Sequence, residues 1–208
     1  MKRRLPRTNR RTGKAALPVA KVSVEEYLAM DRAAEVPSEY HDGEMFPMVA
    51  VSVAHSAIQA NLSRRLAERL DDKPCRVFLA PLRVRVSETK FVLPDMMVVC
   101  GKPALADEHN DTLTNPKVIV EILSPSTADY DYGHKFILYR RIESFEEYLL
   151  VSQDQARVEV LRKTPDKRWL ISTYEGLDAV ANVESLGISF SLAEIYAGVE
   201  LPALAVGD

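Results

Sequence analysis

The chain has 208 residues, 47% of them hydrophobic, and a formal charge of -3. That is enough apolar material for one core, and too little positive charge for a global field that would attract a polyanion. No apolar run reaches the length of a membrane span, and the basic start lacks the apolar centre of a secretory signal, so the chain reads as cytoplasmic, with no membrane partner.

The first fifteen residues hold Lys2, Arg3, Arg4, Arg7, Arg10, Arg11 and Lys14. Residues 1–20 therefore read as a disordered, solvated basic leader, with a nucleic-acid-binding arm as the sharper alternative, and 21–208 read as one domain. Ser23 and Glu26 form a capping box that opens a short helix ending near Asp31. Ser38 to Phe46 reads as a strand pair turning at Asp42-Gly43, which leaves Glu44 on an extended segment at the exit of the turn. Ser52 to Asp72 lacks proline and glycine and carries Ile58, Leu62, Leu66 and Leu70 on one stripe, the signature of a long helix. His55 falls along or just past that stripe, as a hydrogen-bonded structural residue or a contact to phosphate.

Strands follow at 76–79, 82–86 and 91–99. In Leu82-Arg83-Val84-Arg85-Val86 the arginines alternate with apolar residues and are expected to face solvent, or alternatively a phosphate cleft beside Asp95. Cys75 and Cys100 lack the close spacing of a zinc site or disulfide framework and are expected to be reduced core thiols. After a polar loop, Val118 to Leu123 is apolar on both faces except for Glu121, as in a central strand covered from both sides. Asp129 or Asp131 is expected to cap a helix over 133–142, on which Lys135, Leu138, Tyr139 and Ile142 share the inward face. Short strands at 147–151, 157–162 and 169–174 and a last helix at 192–196 complete the chain. It has no internal repeat, no glycine-rich phosphate loop and no serine-nucleophile motif.

Two carboxylates, Asp95 and Glu121, thus lie inside apolar runs, where an unpaired charge costs several kcal/mol. A cation from the chain, a bound metal ion or protonation must compensate them. Magnesium is commonly held by one or two carboxylates plus substrate phosphate, and Lys135 is placed to supply an ammonium.

The ordered set Asp42-Gly43-Glu44, His55, Pro94-Asp95, Val120-Glu121-Ile122-Leu123-Ser124-Pro125-Ser126-Thr127, Asp131, Lys135 and Tyr139 resembles the PD-(D/E)XK nuclease superfamily and, within it, the Uma-two family of restriction endonucleases. The resemblance implies an α/β fold with a restriction-endonuclease-like core, a mixed central β-sheet flanked by helices. It also implies a metal-dependent DNA endonuclease in which Asp95 and Glu121 are metal ligands for Mg2+, or Mn2+. Lys135 would assist catalysis, Glu44 would be a further acidic site residue and His55 a substrate contact. Many nucleases cut two strands with two subunits, which makes a homodimer a further expectation. One departure stands out: the superfamily lysine two residues after the acidic residue is Leu123 here, so its role passes to Lys135. A catalytically inactive nuclease-like module for nucleic-acid binding or assembly is the alternative.

Overall fold

The computed structural model describes residues 21–124 and 128–202. The basic leader and Pro125-Ser126-Thr127 lie outside the described residues. Helix α1 (Val24–Ala33) starts with the expected reciprocal cap: Ser23 Oγ accepts the Glu26 N–H at 3.2 Å and the Glu26 carboxylate accepts the Ser23 N–H at 2.8 Å. Strands β1 (Ser38–His41) and β2 (Glu44–Pro47) form a hairpin. Asp42 (φ 51°) and Gly43 (φ 102°) take the left-handed backbone that a two-residue turn demands. Helix α2 (Val53–Arg69) then carries the long apolar stripe.

Two mixed sheets follow from the pairing. In the first, β1 and β2 are joined by β5 (Lys90–Val92), β4 (Arg83–Ser87) and β7 (Thr112–Leu113), in the order β2-β1-β5-β4-β7. The second contains β3 (Cys75–Leu79), β6 (Met96–Cys100), β8 (Val118–Leu123), β9 (Glu147–Ser152), β10 (Arg157–Lys163) and β11 (Trp169–Glu175), in the order β11-β10-β9-β8-β6-β3. Only β8 and β9 run parallel in this sheet.

Helices cover the six-stranded sheet, which is why β8 is buried along its whole length. On one face Ile58, Leu62, Leu66 and Leu70 pack with Met96, Val98, Val118, Val120 and Ile122, and α4 (Leu192–Ile195) closes the end. Burial of those four residues of the helical stripe contributes roughly 6–12 kcal/mol before chain entropy. On the other face Ile119, Leu123, Tyr148 and Leu150 meet Leu138 and Tyr139 of α3 (Phe136–Tyr139). No helix among the described residues is long and apolar enough to cross a membrane.

The structure departs from the sequence reading at several points. The apolar run 91–99 is not one strand: β5 lies in the first sheet and β6 in the second, and Leu93-Pro94-Asp95 carries the chain between them. Proline has no N–H for a ladder, so the break falls there. Arg83 is buried rather than solvated, ion-paired with Asp31 and Asp111, because β4 is an interior strand and those carboxylates converge on its far side. Neither Arg83 nor Arg85 lines the cleft that holds Asp95. The expected helix over 133–142 begins as a wide π-helical turn, Tyr130–Lys135, before α3, and Asp129 makes no capping bond. Asp131 turns inward to Lys135 instead, at 3.4 Å. Cys75 and Cys100 are not free thiols: the β3–β6 register sets them opposite each other, Cα atoms 3.9 Å apart, and they form a disulfide. A strand pair, β12 (Val180–Val183) and β13 (Ile188–Ser191), was not anticipated.

Candidate active site

The antiparallel register of β6 and β8 pairs Met96 with Val120. Asp95 directly precedes Met96 and Glu121 directly follows Val120, so the two acids lie side by side just past the end of the ladder. The two are joined directly, for the Asp95 N–H donates to Glu121 Oε2 at 3.3 Å. Asp95 Oδ2 accepts the Ile122 N–H at 2.7 Å and lies 3.1 Å from His55 Nε2. Gln59 Nε2, one turn further along α2, donates to the Asp95 carbonyl at 3.0 Å. The start of the long helix therefore fixes the orientation of this carboxylate, and Oδ1 accepts no hydrogen bond among the described residues.

Glu121 Oε1 accepts from Lys135 Nζ at 2.9 Å and from the Tyr139 hydroxyl at 2.7 Å. Both donors come from the inward face, whose spacing the sequence predicts. Leu123 shares the Glu121 face of β8 but is packed into the core below the helix, and the lysine reaches the carboxylate from above.

Sequence reasoning missed Glu39. It sits on β1, 8% exposed, with Oε1 3.3 Å from Lys135 Nζ. The Leu93 N–H donates to Oε1 at 3.1 Å and the Tyr130 hydroxyl to Oε2 at 2.9 Å. Burial alone would raise its carboxyl, but Lys135, His41, the Leu93 N–H and Tyr130 outweigh it and hold the group at about 2. Ser38-Glu39-Tyr40-His41 has no apolar run around the acid, so only its place on a strand before a turn hinted at it.

Three carboxyl groups, Glu39, Glu121 and Asp131, thus surround a single ammonium, and Asp95 adjoins them through Glu121. Burial pulls that ammonium down, but Glu121, Glu39 and Asp131 outweigh it and keep Lys135 charged. Burial pushes the Glu121 carboxyl well above its usual range; Lys135 opposes the rise, and Asp131 and Asp95 add to it. Glu121 is therefore the carboxyl whose ionisation a further positive charge would favour.

Asp95, Glu121 and Lys135 meet in one open hollow of about 1160 Å3, which Glu39, His55 and Asp131 also line. Glu44 stands exposed on its wall. No hydrogen bond or ion pair joins Glu44 to the buried group among the described residues. His55 is buried against Asp95 rather than projecting into open space.

No three His, Cys, Asp or Glu side chains among the described residues form a cluster that could hold a metal ion by themselves. A site of two carboxylates with an accessible oxygen on Asp95 fits a hard divalent ion that keeps waters and takes substrate oxygens. It does not fit a closed structural metal.

Mixed sheets covered by helices, with acidic groups gathered where two sheets adjoin, define a nuclease-like α/β fold. A crystal structure of a putative nuclease belonging to DUF820 from Anabaena variabilis has this fold, with a TM-score of 0.69 and 20% identity, over 86% of this chain and 99% of that one. The model of the Uma2 family, described as "Putative restriction endonuclease", matches residues 24–194, and the chain belongs to that family. Two proteins of Synechocystis sp., both named only as uncharacterized, are 34% identical to it. One, sll1609, is matched over 84% of this chain and 95% of its own length. The other, slr1290, is matched over 88% and 95%.

Proposed function

We propose that the chain is a metal-dependent DNA endonuclease of the PD-(D/E)XK kind, with Asp95 and Glu121 as the ligands of a Mg2+ or Mn2+ ion. The convergence of those two carboxylates with the Lys135 ammonium on one solvent-open hollow carries the reading. Such an ion, when bound, neutralises phosphate charge and makes a water more acidic. His55 and the Ile122 N–H hold Asp95 Oδ2, so that Oδ1 is presented to the hollow. Tyr139 and Lys135 hold Glu121 Oε1, while Oε2 accepts the Asp95 N–H. Lys135 stabilises negative charge that builds on the scissile phosphate, and a preorganised ammonium in a partly dry site does this better than one in water. Glu44, on the wall, supplies a further oxygen toward incoming substrate or solvent. Two copies acting as a homodimer would cut both strands of a duplex.

The test is cleavage of plasmid DNA by purified protein with Mg2+ or Mn2+, alongside calorimetric titration of each metal. Nicking or cutting that Asp95→Ala abolishes, with the fold retained by circular dichroism, is the expected result. Intact plasmid in every metal together with no heat of metal binding refutes the proposal.

Leu123 favours a second reading, a nuclease-like module that binds nucleic acid or assembles without cutting, in which Glu121 and Lys135 serve only as a buried ion pair. That reading expects association to survive both chelation and Asp95→Ala.

A further inference from the structure

The hollow extends well beyond its acidic floor, and the added part has a different character. His41, Phe46, Tyr130 and His134 line it together. The His134 ring stacks on Tyr130 at 5.4 Å between centroids with 18° between planes, and His41 lies 5.4 Å from Phe46 and 5.6 Å from His134. Val49 and Val51, from the segment that leads into α2, line the same space. Phe46 is 46% exposed, Val49 71% and Val51 52%, although each is apolar and stands beside a polar site. Exposed apolar side chains gathered around one hollow are a feature of binding sites.

Two of the three lysines of the hollow are already engaged, and the third, Lys21, is exposed at its rim. The lining contains Lys21, Lys90 and Lys135 and no arginine among the described residues. Lys90 is paired with Asp42, and Lys135 with three carboxylates. A duplex is held chiefly through many Lys and Arg contacts to its phosphates, while its base faces are hidden in the stack. A nucleotide out of the stack instead offers a flat apolar face, which aromatic side chains bind whatever the base.

We propose that the His41, Phe46, Tyr130 and His134 rings, with Val49 and Val51, receive the base of an unpaired nucleotide beside the phosphodiester that faces Asp95 and Glu121. The inference rests on the phosphodiesterase reading for the identity of the ligand, and it names the substrate class: DNA with an unpaired nucleotide at the cut.

The experiment is fluorescence anisotropy of a labelled single-stranded oligodeoxynucleotide and of its duplex, in Ca2+, with the full chain and with Phe46→Ala, Phe46→Trp and Val49→Ser. Phe46 and Val49 are exposed enough for these replacements to leave the fold intact. The expected result is tighter binding of the single strand, weakened roughly 5- to 150-fold by Phe46→Ala, the range for loss of one base–aromatic stack. Phe46→Trp should restore it, and duplex affinity should stay unchanged. Equal or tighter binding of duplex, an equal loss on both substrates, or binding of neither overturns the inference. Cleavage of the same oligonucleotides in Mg2+ separates it from the reading beneath it. Uncut strands with the single-strand preference intact refute the nuclease and keep the base site. Duplex cutting indifferent to Phe46 does the reverse.

Discussion

Lys135→Met removes the ammonium but keeps most of the side-chain volume. Three carboxylates lose their common partner: Glu121 at 2.9 Å, Glu39 at 3.3 Å and Asp131 at 3.4 Å, all buried. Breaking a buried ion pair from one side costs about 3–5 kcal/mol, because the remaining charge stays desolvated. For a chain of this size that is a fall of roughly 6–20 °C in Tm. The loss is also pH-dependent, in a defined direction. In the wild type Glu39 is held at about 2 against an ordinary 4.5, so its stabilisation is complete above 4.5 and disappears as the pH falls toward 2. Without the ammonium, burial is opposed only by His41, the Leu93 N–H and Tyr130, so the Glu39 carboxyl moves up from about 2 toward its ordinary range. The stabilisation lost is then greatest at neutral pH and fades as the pH falls from 4.5 toward 2, where the wild type loses it too. Urea denaturation of both proteins between neutral pH and pH 3 should therefore show a gap in stability that narrows steadily with acid. A variant as stable as the wild type at neutral pH, or a gap that does not change with pH, would refute the account of Lys135 as the shared counter-charge.

Three further outcomes are expected. Tyr139→Phe deletes the hydroxyl that donates to Glu121 and should cost about 1.5–3 kcal/mol by urea denaturation, as for hydrogen bonds to charged groups; a loss near zero would mean the Glu121 oxygen finds another donor. Arg83→Met should lower stability by about 3–5 kcal/mol through the abandoned Asp31 carboxylate, without altering calorimetric metal affinity, since Arg83 is outside the hollow. Reduction of the Cys75–Cys100 disulfide, which closes a loop of 25 residues, should lower stability by roughly 3 kcal/mol; thiol titration of the unfolded, unreduced protein that finds two free thiols would sink that prediction.

What the sequence made legible was mostly periodic. The capping box at Ser23, the turn at Asp42-Gly43 and the apolar stripe of α2 depend on neighbours a few residues away, and each lies where local chemistry put it. The acid inside the apolar run of β8 and the lysine on the inward face of the following helix were visible for the same reason. Glu39 was not, because its burial comes from β5 and from Tyr130, far along the chain. The disulfide and the ion pairs of Arg83 depend on register and on the packing of distant loops, which no local pattern encodes. The run 91–99 misled in another way: apolar character reports burial, and it cannot say that two successive strands are buried in different sheets.

That crossing has a mechanical consequence. Three residues, Leu93-Pro94-Asp95, form the short bridge between the hairpin-bearing sheet and the sheet that contains Glu121, and the Leu93 N–H is tied to Glu39 on the hairpin side while Asp95 is tied to Glu121 on the other. The hairpin and Asp95 are therefore joined by a three-residue bridge that is hydrogen-bonded at both ends. The polar loop between β6 and β7 can lengthen or shorten without touching this bridge, whereas a residue gained or lost at 93–95 would shift Asp95 out of register with Glu121.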